Sequence, residues 1–319
     1  MPEVAELLPS PLGGAPRRRA LVIVNPYATA VSERLRTLVL SALASRYEVE
    51  AVATQAPGHA TELAAGARGY DVVISFGGDG TVNEIANGLA GSATPLAPLP
   101  GGSANVFCKL LGIPGEIVDA TEHLLALADR WQVRTIDLGF VNGRHYTFSA
   151  GVGLDASVVR VVDSKPALKA RFGPSFFAAA ALWTLARRYL RSPPQLTVAV
   201  DGRTLAGVTA VVQNAHHYTY FNDHPIDLAT GATLENGTLA GVVLGRSSPL
   251  SVPALVLRAV SPAREVAGHR RVVAFTTSDG VIVETADGRA LPLQLDGDYV
   301  GDVQAAHFEL RHAALSVVC

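Results

Sequence analysis

Cysteine is almost absent from this chain: Cys108 and Cys319 are the only two in 319 residues. Two thiols cannot build a disulfide framework, and their scarcity fits a reducing cytosol. An excess of charge of either sign is also lacking. Lys and Arg number 26 against 28 Asp and Glu, a formal net charge of -2, which leaves no broad basic footprint and argues against a nucleic-acid partner. No apolar stretch is long enough to cross a bilayer; the longest with helical character, Phe172 to Ala186, is bounded by Arg171 and Arg187. No secretory signal is expected, because the first arginines follow an acidic, Pro- and Gly-rich leader instead of preceding it. Residues 1–18 are predicted to form a disordered tail, and the chain is expected to be cytoplasmic with peripheral contact to a membrane.

Apolar residue content is ample. A hydrophobic fraction of 49% over this length supplies two cores, so two domains are expected. From residue 19 to residue 137, short strand patterns ("ALVIVNP", "YEVEAVAT", "DVVISFGGDG", "PLAPLPGGSAN") alternate with helical ones. Units of this length need crossover connections and predict a doubly wound parallel α/β sheet. From 138 to 319 the texture changes to strands separated by Gly, Asp and Asn turns, with one long helix over Phe172–Leu190. This half is expected to be an antiparallel β-domain, a sandwich.

The segment "VVISFGGDGTVNEIANGL" stops a buried strand with Gly77, Gly78, Asp79, Gly80 and Thr81, then continues as a helix. In a doubly wound sheet ligands bind beyond the carboxyl ends of the strands, where this loop falls. Its glycines would adopt positive φ and let the backbone approach an anion, and the following helix N-terminus adds free N–H groups. Asp79 would repel a bare phosphate and makes most sense beside Mg²⁺ or a donor hydroxyl; with its carboxylate given to a metal, Asp79→Ala is expected to leave the fold intact. The bland alternative is a tight turn in which Thr81 is the N-cap and Glu84 closes a capping box. Two other strand ends weigh against it: Asn25-Pro26 after the first strand, and Gly101-Gly102-Ser103 with Asn105 after the fourth.

In this order, Asn-Pro, Gly-Gly-Asp-Gly-Thr with Asn83-Glu84, and Pro-x-Gly-Gly-Ser-x-Asn resemble the catalytic superfamily of diacylglycerol and sphingosine kinases, particularly its soluble bacterial lipid kinases. The likeness continues through "IDLGFVNGRHYTFSAGVGLDA" and "LQLDGDYVG". The resemblance implies an α/β nucleotide-binding domain, a β-sandwich domain that helps bind lipid, and ATP in the cleft between them. It implies ATP contacts at Asn25, Pro26, Ala28, Thr29 and Thr54, at Gly77, Gly78, Asp79, Gly80, Thr81 and Glu84, and at Gly102, Ser103 and Asn105. Asp79 and Asp137 would belong to the Mg²⁺ network. The family's Asp-Gly-Glu motif appears as Asp296-Gly297-Asp298, which makes Asp298 the general base, Asp296 its orienting partner, and Asp79 the third candidate. Three departures stand out: Ala28-Thr29 for Ser-Gly, Val106 for an Asp, and Asn236 where bacterial members hold a structural Mg²⁺ with Asp. An amide is a weaker Mg²⁺ ligand than a carboxylate.

The expected reaction is ATP- and Mg²⁺-dependent phosphorylation of a lipid hydroxyl, with diacylglycerol becoming phosphatidic acid. Alternatives are a sphingoid-base or other lipid kinase, a nicotinamide-nucleotide kinase, and a lipid- or nucleotide-binding protein without turnover. Partners are ATP, the lipid and a membrane surface; a homodimer is left open. "GVGLDA" matches a dinucleotide fingerprint but lacks its βαβ context. His216, His217 and His224 fit no zinc spacing, and "GGSAN" is not a Gly-x-Ser-x-Gly elbow. The helix over Phe172–Leu190 carries Phe176, Phe177 and Trp183 beside Arg187, Arg188 and Arg191, as either a packed helix or an interfacial one.

Overall fold

A computed structural model of the chain describes residues 17–165, 168, 176, 179–189, 193–221, 224–245, 258 and 266–319. The first 16 residues of the expected tail lie outside the described residues, as do Arg171, Phe172, Phe177, Leu190 and Arg191 of the expected long helix.

The first half alternates strand and helix. Its strands are β1 (Arg18–Val24), β2 (Tyr47–Ala53), β3 (Val72–Gly77) and β4 (Leu96–Pro100). Between and after them run α1 (Glu33–Leu43), α2 (His59–Ala65), α3 (Asp79–Leu89), α4 (Val106–Leu110) and α5 (Ile117–Asp129). The strands pair in parallel in the order β2-β1-β3-β4. Every residue of β3 and β4 is buried, as required of parallel strands covered by helices on both faces. At the start of α1 the Ser32 side chain accepts the Leu35 N–H.

The second half contains β5 (Val133–Val141), β6 (Arg144–Tyr146), β7 (Ser149–Gly153), α6 (Leu154–Asp163), β8 (Leu196–Val200), β9 (Arg203–Gly207) and β10 (Thr209–Gln213). A small hairpin, β11 (Thr219–Phe221) and β12 (His224–Ile226), precedes β13 (Leu239–Leu244), β14 (Val272–Thr277), β15 (Val281–Thr285), β16 (Leu291–Leu295), β17 (Asp298–Val303) and β18 (Ala305–Val318). One antiparallel sheet runs β14-β13-β10-β7-β16-β17. It packs against a second layer through a core of Val152, Val198, Val212, Leu293, Phe308 and neighbours, the expected sandwich.

That second layer does not end at the boundary near residue 137. β18 runs beside β5 and β15, and its end pairs in parallel with β4 through Val317 and Leu96. The result is one ten-stranded sheet shared by both halves. The chain's last strand thereby fixes the α/β layer against the sandwich.

Candidate active site

Three loops at the carboxyl ends of β1, β3 and β4 meet, as their composition suggests. Asn25 N–H donates to the Phe76 carbonyl (3.0 Å), Gly101 N–H to Gly77 (2.8 Å) and Ala30 N–H to Gly101 (2.9 Å). Asn25 Nδ2 donates to Thr81 Oγ1 at 3.1 Å. The glycines do not serve positive φ, contrary to the sequence-based expectation: among Gly77, Gly78 and Gly80 none is left-handed. They serve close packing. A Cβ on Gly102 would stand 2.7 Å from Gly78 Cα, and one on Gly77 would stand 2.5 Å from Thr81 Oγ1. The left-handed residue is Asn105 (φ 48°). Its side chain accepts the Gly102 N–H (2.8 Å) and donates to the Gly102 carbonyl (2.9 Å), closing the loop.

The loops border a cleft of about 1280 Å³. Of the positions expected at ATP, Pro26, Gly77 and Asn105 do not border it and the others do. Thr81 is not an N-cap; that position is Gly78, and Thr81 lies inside the first turn of α3. Glu84 closes no capping box with it. Its carboxylate accepts the N–H groups of Gly58 (2.8 Å) and Ala60 (3.1 Å), satisfying the start of α2 instead.

The four acids singled out in the sequence have different surroundings. Asp79 accepts the Val106 and Phe107 N–H groups, each at 3.0 Å, one per carboxylate oxygen. Burial pushes its pKa up to about 6 although these two amides oppose the rise. Asp296 is 5% exposed and accepts from Thr147 N–H (2.7 Å), Thr147 Oγ1 (2.9 Å), Phe148 N–H (2.9 Å), Ser149 N–H (3.1 Å) and Asn83 Nδ2 (2.7 Å). Burial raises its pKa as well, against those donors. Asp298 is exposed in the cleft. Its Oδ2 lies over Gly80 so closely that a Cβ there would overlap it, which brings the late Asp-Gly-Asp turn onto the first turn of α3.

Asp137 does not border the cleft. It accepts Gly237 N–H and Ala313 N–H, both at 2.9 Å, beside the turn that contains Asn236. That turn is closed by the amide itself: Asn236 Nδ2 donates to the Gly231 carbonyl (2.7 Å), and Oδ1 accepts from Thr233 N–H (3.0 Å) and Thr238 Oγ1 (2.8 Å). A carboxylate could not make the donation to Gly231. Glu235 next to it is held by Arg134 at 2.6 Å. These residues do not fit the structural Mg²⁺ that the resemblance implies. Around Asp79 the donor set does fit the ion, because Mg²⁺ is usually held by one or two carboxylates plus substrate phosphate oxygens, and each Asp79 oxygen keeps a lone pair beyond its amide.

Away from the loops the cleft becomes apolar, with Val158, Val211, Leu228, Val242, Leu244 and Val272 on its walls. Sequence reading missed the polar group at this end. Asp155 Oδ1 accepts from Tyr218 Oη (2.6 Å) and Oδ2 from Gln294 Nε2 (2.9 Å). The signal was "GVGLDA": Gly153 has φ 88° and turns β7 directly into α6, so the segment is a strand-to-helix turn of another kind than a dinucleotide loop. Of the histidines, His217 Nδ1 pairs with Asp227 at 2.5 Å and His216 Nδ1 faces the Ala232 carbonyl at 3.2 Å.

Comparison with known proteins finds relatives of the chain and of its fold. Residues 19–141 match the family described as diacylglycerol kinase catalytic domain. Diacylglycerol kinase of Bacillus subtilis (strain 168) is 28% identical over 296 residues, covering 89% of this chain and 91% of that protein. Diacylglycerol kinase of Staphylococcus aureus (strain MRSA252) is 34% identical over 166 residues, 50% of each chain. The solved structure of a diacylglycerol kinase from Bacillus anthracis str. Sterne superimposes with a TM-score of 0.72 at 22% identity, covering 96% of this chain and 98% of that one; it shares the fold.

Proposed function

We propose that the chain, whose residues 19–141 match the diacylglycerol kinase catalytic domain and which is similar along most of its length to a bacterial diacylglycerol kinase, is a lipid kinase that transfers the γ-phosphoryl group of ATP to the free hydroxyl of diacylglycerol, giving phosphatidic acid. One observation carries the reading: the same cleft is bordered by the glycine loops and by an apolar wall, and Asp298 borders it with its carboxylate over Gly80.

ATP would lie with its phosphates against the loop amides and the N-terminus of α3, where free N–H groups and the helix dipole favour anions. Asp79 would hold Mg²⁺, which would supply positive charge against the negative charge of the transferring phosphoryl group. The lipid chains would follow Val211, Val242 and Leu244, leaving the hydroxyl at the Asp298 end. Asp298 accepts the hydroxyl proton as the oxygen bonds to phosphorus and the bond to ADP breaks. Its side chain is one methylene shorter than Glu, and its close seat on Gly80 supplies the reach. Asp296, with every donor around it engaged, holds the turn and takes no proton.

Access from a bilayer has a candidate surface. Among the described residues no helix is long and apolar enough to cross a membrane. In the helical segment 179–189, Ala181 borders the cleft while Leu182 and Trp183 are 47% and 49% exposed, with the Arg187 guanidinium 5.4 Å from the Trp183 ring centre. Apolar side chains beside a cation suit an anionic lipid surface.

A turnover assay with labelled ATP against diacylglycerol, a sphingoid base, NAD and no acceptor tests the proposal. Label in the diacylglycerol product supports it. Label in the sphingoid base or NAD alone, or in no acceptor, overturns it.

A further inference from the structure

Gln294, in β16 and two residues before Asp296, is 0% exposed and makes two hydrogen bonds in opposite directions. Its Oε1 accepts the Gly297 N–H at 2.9 Å, and its Nε2 donates to Asp155 Oδ2 at 2.9 Å. The amide has one possible orientation here. Gly297 N–H can only donate, so the oxygen must face it and the nitrogen must face Asp155. Asp155 Oδ1 in turn accepts from Tyr218 Oη. A continuous polar chain therefore runs Tyr218, Asp155, Gln294, Gly297, from the apolar end of the cleft to the turn that carries Asp298. Gly151 lies under its centre: a Cβ there would stand 2.9 Å from Gln294 Nε2 and overlap Asp155 Oδ2.

We propose that Gln294 is a positioning residue that fixes the Asp298 turn to the lipid-chain end of the cleft. The inference rests on the lipid kinase reading of this site. The turn needs such a tie because Asp296 and Gly297 are both left-handed, with φ of 49° and 86°. A non-glycine residue in that region persists only where its surroundings over-determine it. The Asp296 carboxylate holds one side of the turn against Asn83 and residues 147–149; Gln294 holds the other. A satisfied buried network has one arrangement, so the Asp298 carboxylate, on the residue that follows Gly297, inherits a fixed place. Displacement of a reacting group by about 1 Å costs up to about 100-fold in rate.

The test compares the parent with Gln294→Met and Gln294→Glu, each in the full chain, measuring kcat and KM for diacylglycerol in mixed micelles, KM for ATP, and thermal unfolding. Gln294→Met keeps the volume and removes both bonds. Its kcat is expected to fall about 10- to 100-fold with KM for ATP within about twofold. Gln294→Glu keeps the acceptor for Gly297 and sets a second carboxyl against Asp155. When protonated, that carboxyl donates to Asp155 as the amide does, so its kcat relative to the parent rises as the pH falls. The titratable and charged groups around Gln294 include Asp155 and Tyr218 in the chain itself, with Tyr189, Arg160, Asp296 and Asp298 beside it, and all remain in both proteins of the ratio. Should Gln294→Met fail to fold, Tyr218→Phe breaks the outer bond alone, and a severalfold loss of kcat with unchanged KM for ATP is expected. Parent kcat in the variants at every pH, or a loss of rate that tracks lost ATP affinity with no recovery at low pH, overturns the inference. A parent without lipid-dependent transfer overturns the functional reading, and this inference with it.

Discussion

Asp79, Asp296 and Asp298 carry the same side chain in three surroundings, and the surroundings separate their roles. Asp79 is bound to the start of α4 through two amides, so the expectation that its removal spares the fold is revised. Asp79→Ala should abolish transfer and also lower stability by about 1–3 kcal/mol, the cost of leaving buried donors unmet; denaturant unfolding beside the turnover assay checks both. Its titration gives a sign as well. A folded pKa of about 6 against 3.8 unfolded means that the folded chain holds the proton more tightly, so this contribution to stability falls as the pH rises from 3.8 through about 6. Asp79→Asn cannot titrate, and the parent's stability relative to it should shrink across that window. Gly80→Ala tests the seat of Asp298: the new Cβ meets Oδ2, and kcat should drop about tenfold or more with ATP affinity within about twofold. Parent kcat in that variant would separate Asp298 from the α3 turn.

Elements with local signals were legible and those made by distant pairing were not. β1 to β4 and the helices between them follow from continuous apolar runs bounded by Gly, Pro and Ser, and the three loops follow from Asn25-Pro26 at the first strand end and glycines at the other two. The purpose of those glycines was not legible, since contact between Gly78 and Gly102 requires the fold to be known. α6 was missed because "LDASVVRVVD" is rich in Val, which lowers helix propensity; its buried face, with Val159 and Val162, is a tertiary effect. The return of β18 to β4 rests on pairing between residues 317 and 96. For the helical segment 179–189, polar replacement of Leu182 and Trp183 should weaken binding to anionic vesicles about tenfold while a short-chain, dispersed diacylglycerol is still phosphorylated, because the substituted side chains are about half exposed. Vesicle sedimentation reads the first and turnover the second. Loss of folding instead would assign both residues to packing.

At the scale of the whole molecule, the two halves are joined at the site and behind it. Behind it, β18 makes one sheet of both. At the site, α3 reaches across: Asn83 donates to Asp296, and Asn87 exchanges hydrogen bonds with the His145 backbone, accepting its N–H and donating to its carbonyl. The glycine loops and the Asp-Gly-Asp turn are therefore tied together through α3, and the proposed mechanism makes the exposed Asp298 carboxylate the group on which transfer depends. Asp298→Asn keeps its shape and removes its basicity. The most direct measurement is transfer of labelled phosphate from ATP to diacylglycerol by the parent and by Asp298→Asn, with ATP affinity determined for both. The expected result is lipid-dependent transfer by the parent, a loss of about two to four orders of magnitude in the variant, and nearly equal ATP affinity. Transfer by Asp298→Asn at the parent rate would contradict it.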